Sequence, residues 1–443
     1  MSIFSMAIAH MKNKAFDQIN ETTDGVKETD VLFLITVPAI WNDSAKQFMK
    51  EAAFEAGLEK ECVELALEPE AASVWCKHLQ LDIDPSGPLS KEGARYMVVD
   101  IGGGTVDISV SQKTKNRNIE QIHKPDGGAW GGTVVDKHFL QFLDNVFGAP
   151  SMARFRKEDH AEYIELLTLF ESRKRDDDMS FMVFSLSSLV QYTGEKNVNT
   201  NIRSLGLQDH VKLIKSKRLR IESPTVKSWF EGPIKSIVNL IIDLLQKPGL
   251  HGIEMVLLVG GFASCKFLKD QVKEAVGSRA KVFIPRDAET AVLKGAVEFG
   301  IRPTNIQARV MKQSYGIAKP VPFDRLRHDS SMKEHGMDVV NVFEQFVEIG
   351  ERFKTGEIVS KSFMPHKGTN STQIEIYISP LTKPRYVKER GCKKIGDLLI
   401  KHRGRSPREN IFTVLFEFGK TEICVRVVMQ HTGAEYSTAV NCI

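Results

Sequence analysis

The sequence predicts a layered α/β body followed by a mostly antiparallel β domain. Three observations carry that reading: strands and helices alternate up to about residue 302, a triple-glycine turn joins two apolar strands at 100–107, and helical periodicity fades beyond Pro303. The chain has 443 residues, 42% hydrophobic and 26% charged, enough for two to four units at roughly 100–200 residues each. A disordered chain and a single small module are both excluded. With 60 Lys+Arg against 56 Asp+Glu the formal charge is +4, so composition makes no case for nucleic acid or a membrane surface as a partner. No apolar run reaches the roughly 18 residues of a membrane span, and the opening lacks a cationic segment and a small-residue cleavage site.

In order along the chain, Phe4, Ile8, Met11 and Phe16 suggest an amphipathic helix already in progress. Val31–Val37 reads as a buried strand closed by Pro38. A helix follows, capped by Asn42 or Asp43, with Ala45, Phe48, Met49, Ala52 and Ala56 on one stripe and Gly57 as its stop. The pattern repeats with a strand over Val63–Leu67 and a helix over 70–79 that has Pro69 at its start. The segment 82–93 is loop by composition, and Tyr96–Asp100 and Val106–Val110 then form a hairpin with a polar tip at 112–118. A helix opens at Gly131-Gly132-Thr133 and ends near Phe147, and 152–175 reads as one long helix. The stretch 181–222 reads as short strands, and a helix runs from Ser223-Pro224 to about Leu245 with Ile234, Ile237, Val238, Ile241, Leu244 and Leu245 on its buried side. Strands at Met255–Val259 and Val282–Ile284 alternate with helices at about 264–276 and 288–299. From about 305 to 443, segments such as Gln373–Ile378, 410–416 and 422–429 alternate as strands do.

Most of the chemical signal lies in Asp100-Ile101-Gly102-Gly103-Gly104-Thr105-Val106-Asp107. Residues without a Cβ let the backbone bend tightly and bring several N–H groups to a phosphate. Flanking carboxylates suit the waters of Mg2+, which takes few protein ligands directly. A second turn, Gly260-Gly261-Phe262-Ala263-Ser264, leaves a buried strand and enters a helix; it suits an anion or a nucleotide's sugar edge, and equally suits the packing of a helix on a sheet. Glu68 ends a strand, in a position where a solvated loop charge is the simpler reading. Six cysteines (62, 76, 265, 392, 424 and 442) show no metal-ligand spacing and fit reduced thiols. The basic stretches 212–220 and 401–408 read as solvated surface, and the twelve histidines make no ligand pair at helical spacing.

Together, ITVPAIWNDSAKQFMKEAAFEAGL (35–58), LALEPEAAS (65–73), VVDIGGGTVDISV (98–110), GGTVVDKHF (131–139), FESRKR (170–175) and LLVGGFASCKFL (257–268) resemble the nucleotide-binding domain of the heat-shock protein 70 family in the actin-like ATPase superfamily. The resemblance, which extends through the tail at 305–443, is strongest to that family's atypical 12A/12B branch. It implies an actin-like (ribonuclease H-like) core with the remainder of lobe I at 1–94, lobe II at 95–302 and a β-rich partner-binding domain at 303–443. It also implies ATP or ADP with Mg2+ as cofactors. Gly102, Gly103, Gly104 and Thr105 would form a phosphate loop, with Asp100 and Asp107 near the metal or the attacking water and Glu68 a water-mediated metal contact. Glu171 and Lys174 match positions that hold the ribose hydroxyls, Arg175 the guanidinium that stacks on adenine, and Gly260, Gly261 and Ser264 the adenosine turn. At Ser264 typical members carry a second stacking arginine.

The family's first phosphate loop and its hydrolysis-assisting lysine belong before Val31, where this sequence has neither. The expectation is an amino-terminally truncated core that binds ATP and hydrolyses it weakly or not at all. As implied by the resemblance, it is a chaperone-like stress protein with extended peptide clients and co-chaperones, without nucleic acid or membrane insertion. The cytoplasm is the expected compartment, with the nucleus open as a second. Two other readings stand beside it: a non-catalytic scaffold on the inherited fold, and an actin-superfamily sugar kinase in which Asp107 would be the base.

Overall fold

The computed structural model describes residues 1–83, 91–114, 118–176, 179–302, 306–334, 338–365, 369–401, 407–418 and 422–439. Parts of the expected loop at 82–93, the hairpin tip and the second basic stretch lie outside them, as does Cys442. The chain forms two compact units. The first comprises Met1–Arg95, Ser109–Asp126 and Leu293–Ile443, and the second Tyr96–Ile108 and Gly127–Val292.

In the first unit the opening helix spans Ser2–Thr22. Phe4 meets Phe48 edge-on at 5.3 Å and Phe16 meets Phe33 at 6.1 Å, while Ile8 packs on Ala53, Leu58 and Val63. Met11, placed on that stripe from the sequence, is 70% exposed. Strands Phe33–Val37 and Val63–Leu67 pair in parallel, Ile35 opposite Leu65. Between them the helix Asp43–Glu55 is capped by Asn42, whose side chain accepts from the Ala45 N–H at 2.9 Å. The second strand runs straight into the helix Glu68–Ile83. Nothing breaks the chain there, because proline at the second helical position gives up an N–H that the first turn leaves unsatisfied anyway.

The strand Ile306–Val310 pairs in parallel with Ile119–Gly128 and antiparallel with Arg352–Lys354. Arg309, buried on it, makes a two-pronged ion pair with buried Glu70 at 2.8 and 2.7 Å. Beyond lie two four-stranded antiparallel sheets. One has the order Val339–Val347, Ser314–Pro322, Ser371–Ser379, Lys393–Lys401, the other Glu357–Phe363, Phe412–Phe418, Cys424–Met429, Glu435–Ala439. Period-two alternation drives their packing: Phe412, Val414, Phe416 and Phe418 all turn into one apolar core with Ile374, Ile376, Val425 and Val427.

Four neighbouring strands of a seven-stranded sheet, in the order Lys281–Phe283, Ile253–Val259, Arg95–Ile101, Val106–Lys113, lie wholly or partly in the second unit, and the first pair is parallel. Helices Gly132–Phe147 and Ser223–Gln246 meet the helix His160–Lys174 in an aromatic cluster, where Phe139 stacks on Phe170 at 3.9 Å and meets Trp229 at a tilt of 58° and 5.4 Å. On the helix Ser223–Gln246 the expected side is buried at Ile234, Ile237, Ile241 and Leu244, while Val238 and Leu245 are only half-buried. The sequence reading of one helix over 152–175 is corrected to two, Ala149–Glu158 and His160–Lys174, broken where Asp159 leaves helical backbone angles (φ −117°, ψ 50°). The stretch read as short strands holds a three-stranded sheet (Phe181–Ser185, Arg218–Glu222, Val211–Ile214) and two helices besides, Ser187–Thr193 and Glu195–Ser204. Each helix is too short to show a stripe; the second buries only Val198 and Ile202. Helices expected from 264 and 288 begin instead with single 3-10 turns, Gly261–Ser264 and Ala288–Thr290, before Lys266–Val276 and Ala291–Ile301.

The basic stretch 212–220 is a hairpin with Lys212, Lys215, Lys217 and Arg218 exposed. The five described cysteines are free, and among the described residues no helix is long and apolar enough to cross a membrane.

Candidate functional site

The triple-glycine turn lies in the second unit between Arg95–Ile101 and Val106–Lys113. Its carbonyls are consumed by the helix that starts nearby. The N–H groups of Gly131, Gly132 and Thr133 donate to the carbonyls of Gly104, Gly102 and Gly103 at 3.3, 3.1 and 2.8 Å. These are orphan donors of a helix N-terminus, and the turn satisfies them. The turn's own amides at Gly103, Gly104 and Thr105 have no partner among the described residues, and Gly103 and Gly104 are exposed. Successive unengaged amides next to a helix N-terminus form a nest for an anion. Closeness of the two segments requires Gly131, where a Cβ would sit 2.4 Å from the carbonyl oxygen of Gly103. The sequence reading took Gly131 only as a helix opener.

Asp100 and Asp107, at the two ends of the turn, are both buried. Burial, with the Asp107 charge second, pushes the Asp100 carboxyl up to about 7. Asp107 Oδ2 is buried without a hydrogen-bond donor, although the residue makes other contacts. Both facts fit a hydrated divalent cation, whose charge compensates carboxylates that burial otherwise disfavours. Among the described residues no group of three or more His, Cys, Asp or Glu is arranged to hold a metal directly.

The second glycine turn touches the first. Gly260 has φ +91°, and a Cβ there would lie 2.4 Å from Asp100 Oδ1 and 2.6 Å from the Ile101 carbonyl oxygen. Its N–H donates to the Ala288 carbonyl at 2.9 Å. Next along, Glu289 accepts from Arg175 Nη1 at 3.2 Å, and Glu171 holds the other edge of the guanidinium at 2.6 and 3.0 Å. Both carboxylates engage the guanidinium through its N–H groups, Glu171 at Nε and Nη2 and Glu289 at Nη1. Burial opposes ionisation of Glu171, but hydrogen bonds from Lys174 and Arg175 hold its carboxyl below the usual range.

Lys174 is buried and spends its three donors inside the protein, on Glu171 at 2.5 Å, Asp136 at 2.8 Å and the Gly132 carbonyl at 3.4 Å. The contacts therefore close a ring from the 102–105 turn through Gly132, Lys174, Glu171, Arg175, Glu289, Ala288 and Gly260 back to Asp100. Ser264 donates its hydroxyl to the Gly261 carbonyl at 2.8 Å. Glu68 lies in the first unit as the opening residue of the helix Glu68–Ile83, half-buried. Asp136 and Glu289, which orient Lys174 and Arg175, were not singled out from the sequence. Their only sign is their charge, since the residues they pair with lie 38 and 114 positions away.

A family model described as "Hsp70 protein" matches residues 1–312. Human heat shock 70 kDa protein 12A is 30% identical over 96% of this chain and 72% of its own length, and human heat shock 70 kDa protein 12B is 29% identical over 100% of this chain and 75% of its own. Chaperone protein DnaK of Elusimicrobium minutum is 34% identical over 60% of this chain and 39% of its own length. The glycine turns that the ring brings together fall inside the matched span, and that match, continued by the 12A and 12B alignments through the β sheets, makes the chain a member of the Hsp70 family with its actin-like ATPase fold.

Proposed function

We propose that the protein is an ATP- or ADP-binding, chaperone-like stress protein of the Hsp70 type. One observation carries the reading: the closed ring that joins the amides of Gly103, Gly104 and Thr105 to Asp100, Gly260 and Arg175 in one unit. The amides would take phosphate oxygens, the faces of Arg175 the adenine, and Glu171 with Gly260, Gly261 and Ser264 the ribose side. Lys174 would act mainly by holding Glu171, because its donors are already engaged. Asp100 and Asp107 would hold the waters of Mg2+, which supplies charge neutralisation to the phosphates, and Glu68 is a further proposed contact of that kind. The antiparallel sheets between 314 and 439 are the proposed place for extended peptide clients, with co-chaperones as further partners. Free thiols fit a reducing compartment, and the cytoplasm is proposed.

Calorimetric titration of the intact chain with ADP and ATP in the presence of Mg2+ tests this. Binding in the micromolar range, weakened at least tenfold by Asp100→Asn and by Arg175→Ala, supports it; absence of heat with either nucleotide overturns it. A non-catalytic scaffold is the second reading, favoured by Lys174 and Arg175 both being satisfied within the protein. Phosphate release with and without hexoses tests a sugar kinase.

A further inference from the structure

Beside the ring, the second unit contains an open cavity of about 590 Å3, within the roughly 300–1,000 Å3 of small-molecule sites. One wall is the helix Lys266–Val276, which presents Lys266, Lys269 and Lys273; the facing wall, 284–290, contributes Arg286. Ile284, Pro285 and Ala288 give it an apolar lining.

The charge balance inside is uneven. Asp270 is paired with Lys266 at 3.5 Å, Glu289 is drawn to Arg175 at 3.2 Å, and Asp287 has partners of its own. Lys269, Lys273 and Arg286 take part in no ion pair among the described residues. Lys269 and Lys273 stand four apart on one helix, where like charges repel. On a convex helix face water would screen them; a concave wall with a fourth cation opposite focuses their potential inward. Ammonium groups on flexible stems suit phosphate oxygens arranged in three dimensions, and a guanidinium adds a two-pronged contact.

We infer that this cavity binds a compact phosphate-rich anion of the di- or triphosphate class. It is a second anion site, distinct from the amide turn, since no residue of 102–105 lines it. The anion is either a free inorganic polyphosphate or the phosphate end of a nucleotide. Ser264 and Glu289 belong both to the cavity wall and to the candidate nucleotide site, so occupancy of one site is felt at the other.

The test is calorimetric titration of the intact protein with inorganic tripolyphosphate, and separately with ADP, on wild type, the Lys269→Glu/Lys273→Glu double variant and Gly103→Val. Expected is a tripolyphosphate site whose affinity falls tenfold or more in the double variant and changes less than twofold in Gly103→Val. An equal loss for ADP in the double variant would identify nucleotide phosphates as the source. Unchanged tripolyphosphate binding in the double variant with loss in Gly103→Val would place the anion on the turn and overturn this inference while leaving the nucleotide reading intact. No tripolyphosphate binding to wild type would overturn it as well. If near-ultraviolet circular dichroism shows the double variant unfolded, Lys269→Gln/Lys273→Gln replaces it, with threefold loss or more expected and no loss overturning the inference.

Discussion

Gly260 and Asp100 are packed so closely that a methyl group on the glycine would lie 2.4 Å from the carboxylate oxygen Oδ1. Two turns 160 residues apart in the chain are thereby held as one surface, and the conformation at Gly260, φ +91°, independently excludes most side chains. Gly260→Ala is expected to destabilise the fold by several kcal/mol, on the order of the larger single-residue effects. It should also abolish nucleotide-dependent stabilisation. Gly131→Ala, whose Cβ would lie 2.4 Å from the Gly103 carbonyl oxygen, should behave alike, whereas Gly104→Ala, with nothing within 4 Å, should melt within a few degrees of wild type. Thermal melts of the three variants with and without ADP check this; equal behaviour at positions 104 and 131 would contradict it.

Asp100 makes stability depend on pH in a defined direction. Its carboxyl, at 3.8 when free, is pushed up to about 7 in the folded protein by burial and then by Asp107. The folded state therefore keeps a proton that the unfolded chain releases, and this group's contribution declines as pH rises from about 3.8 to about 7, then levels off. Asp100→Asn should remove that slope, so that its melting temperature gains on wild type between pH 5 and pH 8. Parallel pH profiles for the two proteins would show the carboxyl to be unperturbed.

Glu70 and Arg309 form a buried pair with both prongs made. Removing one partner strands a charge, so Glu70→Ala is expected to cost about 3–5 kcal/mol. Replacing both by apolar residues of similar volume, Glu70→Leu with Arg309→Met, should recover most of that loss. Urea unfolding of the single and double variants measures both, and a single-variant loss below about 1 kcal/mol would contradict the prediction.

Arg175 is 39% exposed at its side chain and held by two partly exposed carboxylates. Such pairs contribute about 0–1 kcal/mol to stability. Arg175→Ala should therefore shift the melting temperature little while lowering adenine nucleotide affinity at least tenfold; Glu289→Gln, which frees one edge of the guanidinium, should lower it less. Comparing ADP with a nucleotide lacking the purine isolates the stacking contribution.

Largely apolar segments at 31–37, 63–67, 96–100 and 255–259 announced strands, which form at Phe33–Val37, Val63–Leu67, Arg95–Ile101 and Ile253–Val259, the first of them only half-buried over most of its length, and period-two alternation announced the sheets beyond 305. Local punctuation narrowed the cap to Asn42 or Asp43, of which Asn42 is the cap, and placed the stop at Gly57, which has φ +84°. The two short helices between 187 and 204 gave no comparable signal, because their burial is decided by neighbours such as Phe147 and Val146, whose carbonyls accept from Thr193 and Asn201. Met11 fits the apolar stripe by spacing yet faces solvent, since periodicity specifies a face and not whether anything covers it.

What the sequence determined by itself was most of the inventory: the majority of the strands and helices, where glycine permits a tight bend, and which acids and cations flank those bends. These follow from backbone sterics and from the spacing of apolar side chains, both of which act over a few residues. Only the tertiary structure decided that Gly260 rests on Asp100, that Glu289 grips Arg175, that Lys174 is spent on Asp136 and Glu171, and that Lys269, Lys273 and Arg286 share one cavity. Contacts between residues so far apart in the chain depend on how whole layers pack, and the cost of burying a charge has no value until its surroundings are in place.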